Sequence, residues 1–401
     1  MSPVKHISER KLLGVAGLAW LFDAMDVGML SFIIAALGAD WKLDAAQMGW
    51  IGSVSSIGMA VGAFIFGLTA DRIGRKNVLI LTLLVFSIGA GLSALATGLT
   101  IFLILRFIIG MGLGGELPVA STLVSESVAT EKRGRTVVLL ESFWAGGWII
   151  AALISYFIIP SFGWRIALLV GALPAFYAIY LRWNIHDSAN YVAKTEKEKP
   201  TVLQNITTVW SKKYMRQTVM LWILWFCVVF SYYGMFLWLP NVVSLKGFSM
   251  VKSFGYVLIM TLAQLPGYFT AAWLIEKWGR KWVLIVYLLG TAVFAYFFGY
   301  ASTLPMVLTS GILLSFFNLG AWGALYAYSP EQYPAVVRGT GTGMAAAFGR
   351  IGGIFGPLLV GYLLVQKVSI GAIFTIFCIS IIIGILAVLF LGHETKNKEL
   401  V

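Results

Sequence analysis

The sequence predicts an all-α membrane protein of twelve transmembrane helices in two pseudo-symmetric six-helix bundles. Three observations lead there: long apolar runs recur about twelve times, basic residues gather on alternate joints between the runs, and polar motifs repeat at one fixed spacing.

The 401 residues are 59% hydrophobic and only 11% charged, against roughly 25% charged in an average soluble domain. A hydrocarbon core of ~30 Å needs about 20 apolar residues per helix. Runs of that order fall at 12–37, 47–70, 78–96, 100–127, 136–159, 165–182, 217–240, 253–275, 282–301, 304–329, 339–365 and 369–391. The first run exceeds the hydrophobic stretch of a leader peptide and carries Asp23 and Asp26, so it reads as a span.

A net charge of +12 raises the question of nucleic acid, and the placement of the charges answers it. With the N-terminus inside, 22 of the 29 Lys and Arg residues lie on inner segments, five on outer loops (Lys42, Arg165, Lys246, Lys252, Lys367) and two, Arg106 and Arg350, within spans. That asymmetry orients a multi-pass protein of the cell membrane with both termini cytoplasmic. The expected partners are a small-molecule substrate, protons and the lipid bilayer, with a single copy as the functional unit and no nucleic acid. Cys227 and Cys378 both fall in spans, and the three histidines lie in terminal or loop segments, so neither a metal site nor a cofactor is expected and no enzymatic constellation is visible.

One long polar joint, rich in Lys and Glu, divides the chain into an N-terminal half (1–185), a cytoplasmic linker (186–216) and a C-terminal half (217–401) ending in a short tail. The halves share signatures. Asp71-Arg72-Ile73-Gly74-Arg75-Lys76 recurs as Glu276-Lys277-Trp278-Gly279-Arg280-Lys281, Glu126 recurs as Glu331, and Arg133-Gly134 recurs as Arg338-Gly339, each displaced by 205 residues. Such parallel duplication is expected of transporters whose substrate site lies between the halves.

The run Gly67 to Lys76 resembles the signature joining spans 2 and 3 in the major facilitator superfamily. Arg106 to Gly110, Gly112, Gly114, Pro118, Glu126 and Arg133-Gly134 resemble its sugar-porter and organic-acid-symporter branch, as do Trp322-Gly323, Pro330-Glu331, Pro334, Arg338-Gly339 and the ending His393-Glu394-Thr395-Lys396. The resemblance implies a secondary transporter working by alternating access. It also implies an inner gate in which Asp71, Arg72, Arg75, Glu126 and Arg133, with Glu276, Arg280, Glu331 and Arg338, latch helix ends through Arg–carboxylate bonds. Topology alone would explain the bases, though not the matching acids. Gly110, Gly112, Gly114 and Gly115 superficially resemble a dinucleotide loop, but no strand precedes them, so they and Gly58 and Gly62 read as close helix packing.

Ionisable residues inside spans cost about 2.5–3.5 kcal/mol or more each and so point to function. Asp23 and Asp26 sit three apart on one face of span 1. Their run resembles the paired-aspartate motif of aromatic-acid and organic-acid proton symporters, and the resemblance pairs Asp26 with Arg106 as a proton-coupling unit, a static ion pair being the bland alternative. Arg350 suits a carboxylate ligand, and a small organic anion is the natural one, pairing with a membrane acid being the competing role. Glu141 stands where sugar porters place a ligand-binding glutamine, and Glu116 is a further acid within span 4.

Aromatics crowd the spans that line the cavity in this family: Trp144, Trp148, Tyr232, Tyr233, Phe236, Phe316, Phe317, Trp322 and Tyr326, with Asn318 among them. Ring faces would sandwich a flat substrate, although packing alone also explains aromatics in membrane helices. Trp41 and Trp238 read as outer-interface anchors. Span 7 carries Cys227 to Gly234 in place of the Gln-Gln pair of sugar binders, which argues against a hexose. The whole pattern looks most like the bacterial niacin and nicotinamide transporters, near the aromatic-acid symporters. The expected function is therefore proton-coupled import of a small aromatic or organic carboxylate, with uniport or export of another solute (benzoate, a sugar) and a transporter-fold sensor as alternatives.

Overall fold

The computed structural model describes residues 9–73, 75–127, 133–183, 202–334 and 336–396, with the side chains of 9–12, 15, 67–73, 75, 76, 78, 79, 115–127, 133, 134, 174, 175, 177–183 and 202 excluded. All its regular structure is helical. The first half comprises α1 (Glu9–Asp40), α2 (Ala45–Ile73), α3 (Arg75–Ser93), α4 (Leu99–Ser127), α5 (Arg133–Phe162) and α6 (Trp164–Trp183). After a short helix α7 (Val202–Val209) come α8 (Met215–Phe236), α9 (Leu239–Leu245), α10 (Met250–Leu262), α11 (Gln264–Trp278), α12 (Arg280–Tyr300), α13 (Leu304–Tyr328), α14 (Arg338–Val365) and α15 (Ile370–Leu391). Among the described residues nine spans are long and apolar enough to cross a membrane, and three shorter apolar helices, Ile80–Ser93, Leu99–Gly114 and Trp164–Leu173, lie where spans 3, 4 and 6 were expected.

Local chemistry explains the ends. Asp44 and Gln47 form a reciprocal capping box at the start of α2, each side chain accepting the other's backbone N–H (2.8 and 3.0 Å). Ser249 and Ser369 cap α10 and α15 by accepting the N–H three residues on. Two expected spans are broken. Pro240 and Pro266 each lack an N–H and clash with the carbonyl four residues back, and the chain breaks at Leu237–Trp238 and at Ala263. Span 7 is thus α8, with α9 a short helix beyond its end, and span 8 is α10 plus α11.

Packing repeats between the halves. In the first, α1 packs on α5 and α6, α2 on α4, and α3 on α4 and α6; in the second, α8 packs on α14 and α15, α11 on α13, and α12 on α13 and α15. The same 205-residue offset reappears in carbonyl capping. Arg165 donates to Ala94 O and Ala96 O (2.8 and 2.7 Å), while Lys246 donates to Gly299 O and Ala301 O (3.0 and 2.8 Å). Each cation closes the C-terminal end of a helix where backbone carbonyls lack partners.

Glycines set the closest approach. At the α2–α4 crossing Gly58 faces Phe107 O, Gly62 faces Met111 O, Gly110 faces Ser55 O and Gly114 faces Met59 O, each too close for a Cβ. The helices therefore meet backbone to backbone, as small-residue motifs permit in lipid. The halves join where α2 runs along α14, with Ser53 Oγ donating to Ile354 O (2.6 Å), and where Ser31 Oγ donates to Phe236 O (3.0 Å). Trp238, expected at the lipid interface, is instead 1% exposed and donates its indole N–H to Pro357 O (3.2 Å), because the break after α8 turns it inward.

Gly110→Ala is expected to destabilise the detergent-solubilised protein by about 1–3 kcal/mol, the usual cost of overpacking. Gly91→Ala, whose Cβ would meet open space, should stay within about 0.5 kcal/mol in the same thermal-unfolding assay.

Candidate functional site

Tight packing of α4 on α2 fixes where Arg106 emerges, one turn before Gly110. Its Nε donates to Ser55 Oγ (3.2 Å), and its two terminal nitrogens reach across to α1, Nη1 to Asp26 Oδ1 (3.1 Å) and Nη2 to Asp26 Oδ2 (2.6 Å). With Arg106 1% and Asp26 6% exposed, this is a desolvated bidentate pair whose donors and acceptors are matched. A small cavity lined by Met25, Asp26, Met29, Ala90, Leu168 and Gly171 opens beside the carboxylate.

Between the halves, rings from α1, α5, α8 and α13 build an aromatic box. Trp144 and Trp322 lie nearly parallel, with centroids 6.3 Å apart, and Trp144 Nε1 donates to Tyr232 OH (2.8 Å). Tyr232 contacts Trp322 (4.7 Å) and stacks on Phe236 (5.0 Å), while Trp20 meets Trp144 and Tyr326 edge-on. Edge-to-face and offset contacts of this kind each add roughly 0.5–1.5 kcal/mol beyond burial. Phe316 and Phe317, expected in the box, pack on Tyr287 and Phe294 of α12 instead. Helical phase explains the difference, since Asn318, Trp322 and Tyr326 repeat every four residues and share one face of α13, which Phe316 and Phe317 do not.

Arg350 borders the box. Its Nη1 donates to Tyr233 OH (3.1 Å) and contacts Met59 Sδ (3.5 Å), and the guanidinium lies within electrostatic reach of Asp23 and Tyr326. Asp26 thus bonds Arg106, and the buried Asp23, one turn earlier on α1, lies within electrostatic reach of Arg350. Glu141, wholly buried, accepts from Trp20 Nε1 at Oε2 (3.1 Å). Its Oε1 has no partner, and Trp322 Nε1 approaches the carboxyl without closing a hydrogen bond.

At the other end of the second half, Arg280 ties two acids, Glu276 one turn back (3.1 Å) and Glu331 after α13 (3.1 Å). Glu331 also accepts from Thr395 Oγ1 (2.5 Å), and Glu394 caps α12 by accepting the N–H groups of Arg280 and Lys281 (3.0 and 3.1 Å). Arg338 donates from Nε to Tyr333 O (3.2 Å). The matching first-half residues Asp71, Arg72, Arg75, Glu126 and Arg133 lie on the helix ends of α2 to α5, and their side chains, like that of Glu116, fall outside the described residues. The linker expected at 186–216 includes helix α7, which docks through Val209 O, the acceptor of Thr218 Oγ1 (2.7 Å).

Sequence reasoning missed Trp20, Ser55, Gln264 and Tyr268. Trp20 and Ser55 carry no charge to flag them, and Gln264 and Tyr268 are set by the Pro266 break, which hydropathy does not register.

A family model described as the Major Facilitator Superfamily matches residues 16–264 and 253–400. The chain is 68% identical over 400 residues, covering 100% of both chains, to the "Putative niacin/nicotinamide transporter NiaP" of Bacillus subtilis (strain 168). It is 46% identical over 416 residues, covering 97% of this chain and 95% of the other, to the "Niacin transporter NiaP" of Acinetobacter baylyi. Among solved structures, the proton:xylose symporter XylE bound to 6-bromo-6-deoxy-D-glucose is similar with a TM-score of 0.78 at 20% identity, covering 98% of this chain and 97% of that one, a likeness of fold.

Replacing one member of a buried ion pair strands the other. Arg106→Leu is expected to lower stability by about 3–5 kcal/mol, and adding Asp26→Leu should recover part of that loss. Thermal unfolding of both variants beside the wild type in one detergent measures the difference.

Proposed function

The chain belongs to the Major Facilitator Superfamily, and we propose from that premise that it is a proton-coupled importer of niacin or nicotinamide in the cell membrane, with both termini cytoplasmic and one copy as the working unit. The observation that carries the substrate is a guanidinium, Arg350, set at the border of an aromatic box between the two halves. The box suits a flat ring, because Trp144, Tyr232 and Trp322 bring apolar ring faces together on which an aromatic substrate can stack at carbon contacts of ~3.5 Å. Arg350 suits the carboxylate of nicotinate through paired N–H donors. Full-length identity to two proteins named as niacin transporters supports the same substrate.

Coupling rests on Asp26 and Arg106. Protonating Asp26 would remove the charge that holds the guanidinium, so the pair links proton occupancy to the placement of α1 against α4. The fold is shared with a protein titled a proton:xylose symporter. Alternating access would rock the halves about the box, breaking bonds such as Ser53–Ile354 and Ser31–Phe236 at one end while the Arg280 latch and its first-half counterpart close the other.

Uptake of radiolabelled nicotinate by a transport-deficient host tests this. Wild-type uptake should collapse with a protonophore, and Arg350→Ala should lower it roughly 10- to 100-fold, the equivalent of a charge-assisted hydrogen bond of about 1.5–3 kcal/mol. Asp26→Asn should abolish proton-driven accumulation. Accumulation that persists with both the protonophore and Asp26→Asn would replace symport by uniport, and glucose uptake without nicotinate uptake would overturn the substrate.

A further inference from the structure

The end of the box nearest Glu141 holds more hydrogen-bonding capacity than the protein uses. Tyr268 OH, Glu141 Oε1, Asn318 Oδ1, Trp322 Nε1 and both polar atoms of Gln264 are buried without a partner. Native proteins leave few such atoms, because each gives up the hydrogen bond it would make in water and gains none in return. Here they lie on α5, α11 and α13, three helices that pack on one another and two of which carry rings of the box.

Tyr268 is the clearest of them. The break at Ala263 starts α11 at Gln264, and Tyr268 follows one turn later on the same face. Its ring fits because residue 323 is glycine, where a Cβ would come within 3.0 Å of Tyr268 Cδ1. The side chain is 0% exposed. Its hydroxyl lies within electrostatic reach of Glu141, Tyr232 and Tyr326, yet it makes no hydrogen bond to any of them. Tyr268 rests on Gly323, the neighbour of Trp322, and Arg350 bonds Tyr233, whose ring meets Tyr232 (5.2 Å) where Tyr232 meets Trp322 (4.7 Å), so the unused donor and the guanidinium border one cluster of rings.

We propose that Tyr268 is a specificity residue whose hydroxyl donates to a ring nitrogen of the substrate, so that the transporter selects azaaromatic carboxylates over their benzene counterparts. The inference rests on the aromatic-carboxylate reading above and adds to it a second polar contact. Arg350 takes the carboxylate and the rings take the flat faces; neither distinguishes nicotinate from benzoate. A benzene ring would leave the Tyr268 hydroxyl buried and unpaired, whereas a pyridine nitrogen accepts its hydrogen. Sites built to bond a polar group reject the analogue that lacks it for this reason.

The experiment measures binding of nicotinate and benzoate to the full-length protein in lipid nanodiscs, for wild type and Tyr268→Phe, with thermal unfolding of both. Because the hydroxyl bonds nothing in the protein, Tyr268→Phe should melt at or above the wild-type temperature. Wild type should prefer nicotinate about 10- to 100-fold, and Tyr268→Phe should bring the ratio near one by weakening nicotinate while leaving benzoate unchanged. An unchanged ratio in Tyr268→Phe overturns the proposal, as does a variant that no longer folds, since the hydroxyl would then be structural. Equal wild-type binding of the two acids sinks the specificity role while the aromatic-carboxylate reading stands. Wild type binding neither acid removes that reading and the inference with it.

Discussion

A guanidinium with 1% of its surface exposed, within a helix made for lipid, is tenable only because each of its three nitrogens donates to an acceptor. Arg106 depends on Asp26 and Ser55, and they in turn depend on the crossing that brings α2 and α4 together through Gly58, Gly62, Gly110 and Gly114. Hydrocarbon offers no water to repay an unpaired polar group, so packing must be close before charge can be buried. The ion pair is thus a consequence of glycine placement, and the first half is organised around it.

The second half follows the same plan with different cargo. Its helices pack in the same pairs, and its capped carbonyls fall at the same offset, although their donors come from different places, Arg165 from the start of α6 and Lys246 from the end of α9. Where the first half places an internal ion pair, the second contributes Arg350 with Tyr233, together with most of the aromatic box. Duplication therefore supplied a common frame on which one half specialised in holding charge and the other in holding rings. The two meet at Trp144 and Tyr232, and any rearrangement of the halves has to repack that contact.

Breaks in two helices matter as much as the intact ones. Pro240 and Pro266 sit in the first turns of α9 and α11, where a missing N–H costs least, and the preceding helices stop before them. The first break turns Trp238 onto α14, and the second starts α11 at Gln264 and sets Tyr268 beside the box. Both features were invisible to hydropathy, which registers only that an apolar run is long enough.

The number of spans, their limits within a few residues, the duplication and the pairing of Asp26 with Arg106 were all legible in the sequence, because apolar length, charge asymmetry and repeat spacing are one-dimensional properties of the chain. The aromatic box was half legible: Trp144, Tyr232, Phe236, Trp322 and Tyr326 converge as expected, whereas Phe316 and Phe317 turn away and Trp20 joins from α1. Only tertiary structure decided that Asp23 lies within electrostatic reach of Arg350 while Asp26 bonds Arg106, and that Tyr268 is left with a hydrogen to give. Those outcomes turn on helical phase and on two proline breaks, which fix the direction of side chains in space and leave the composition of the spans unchanged.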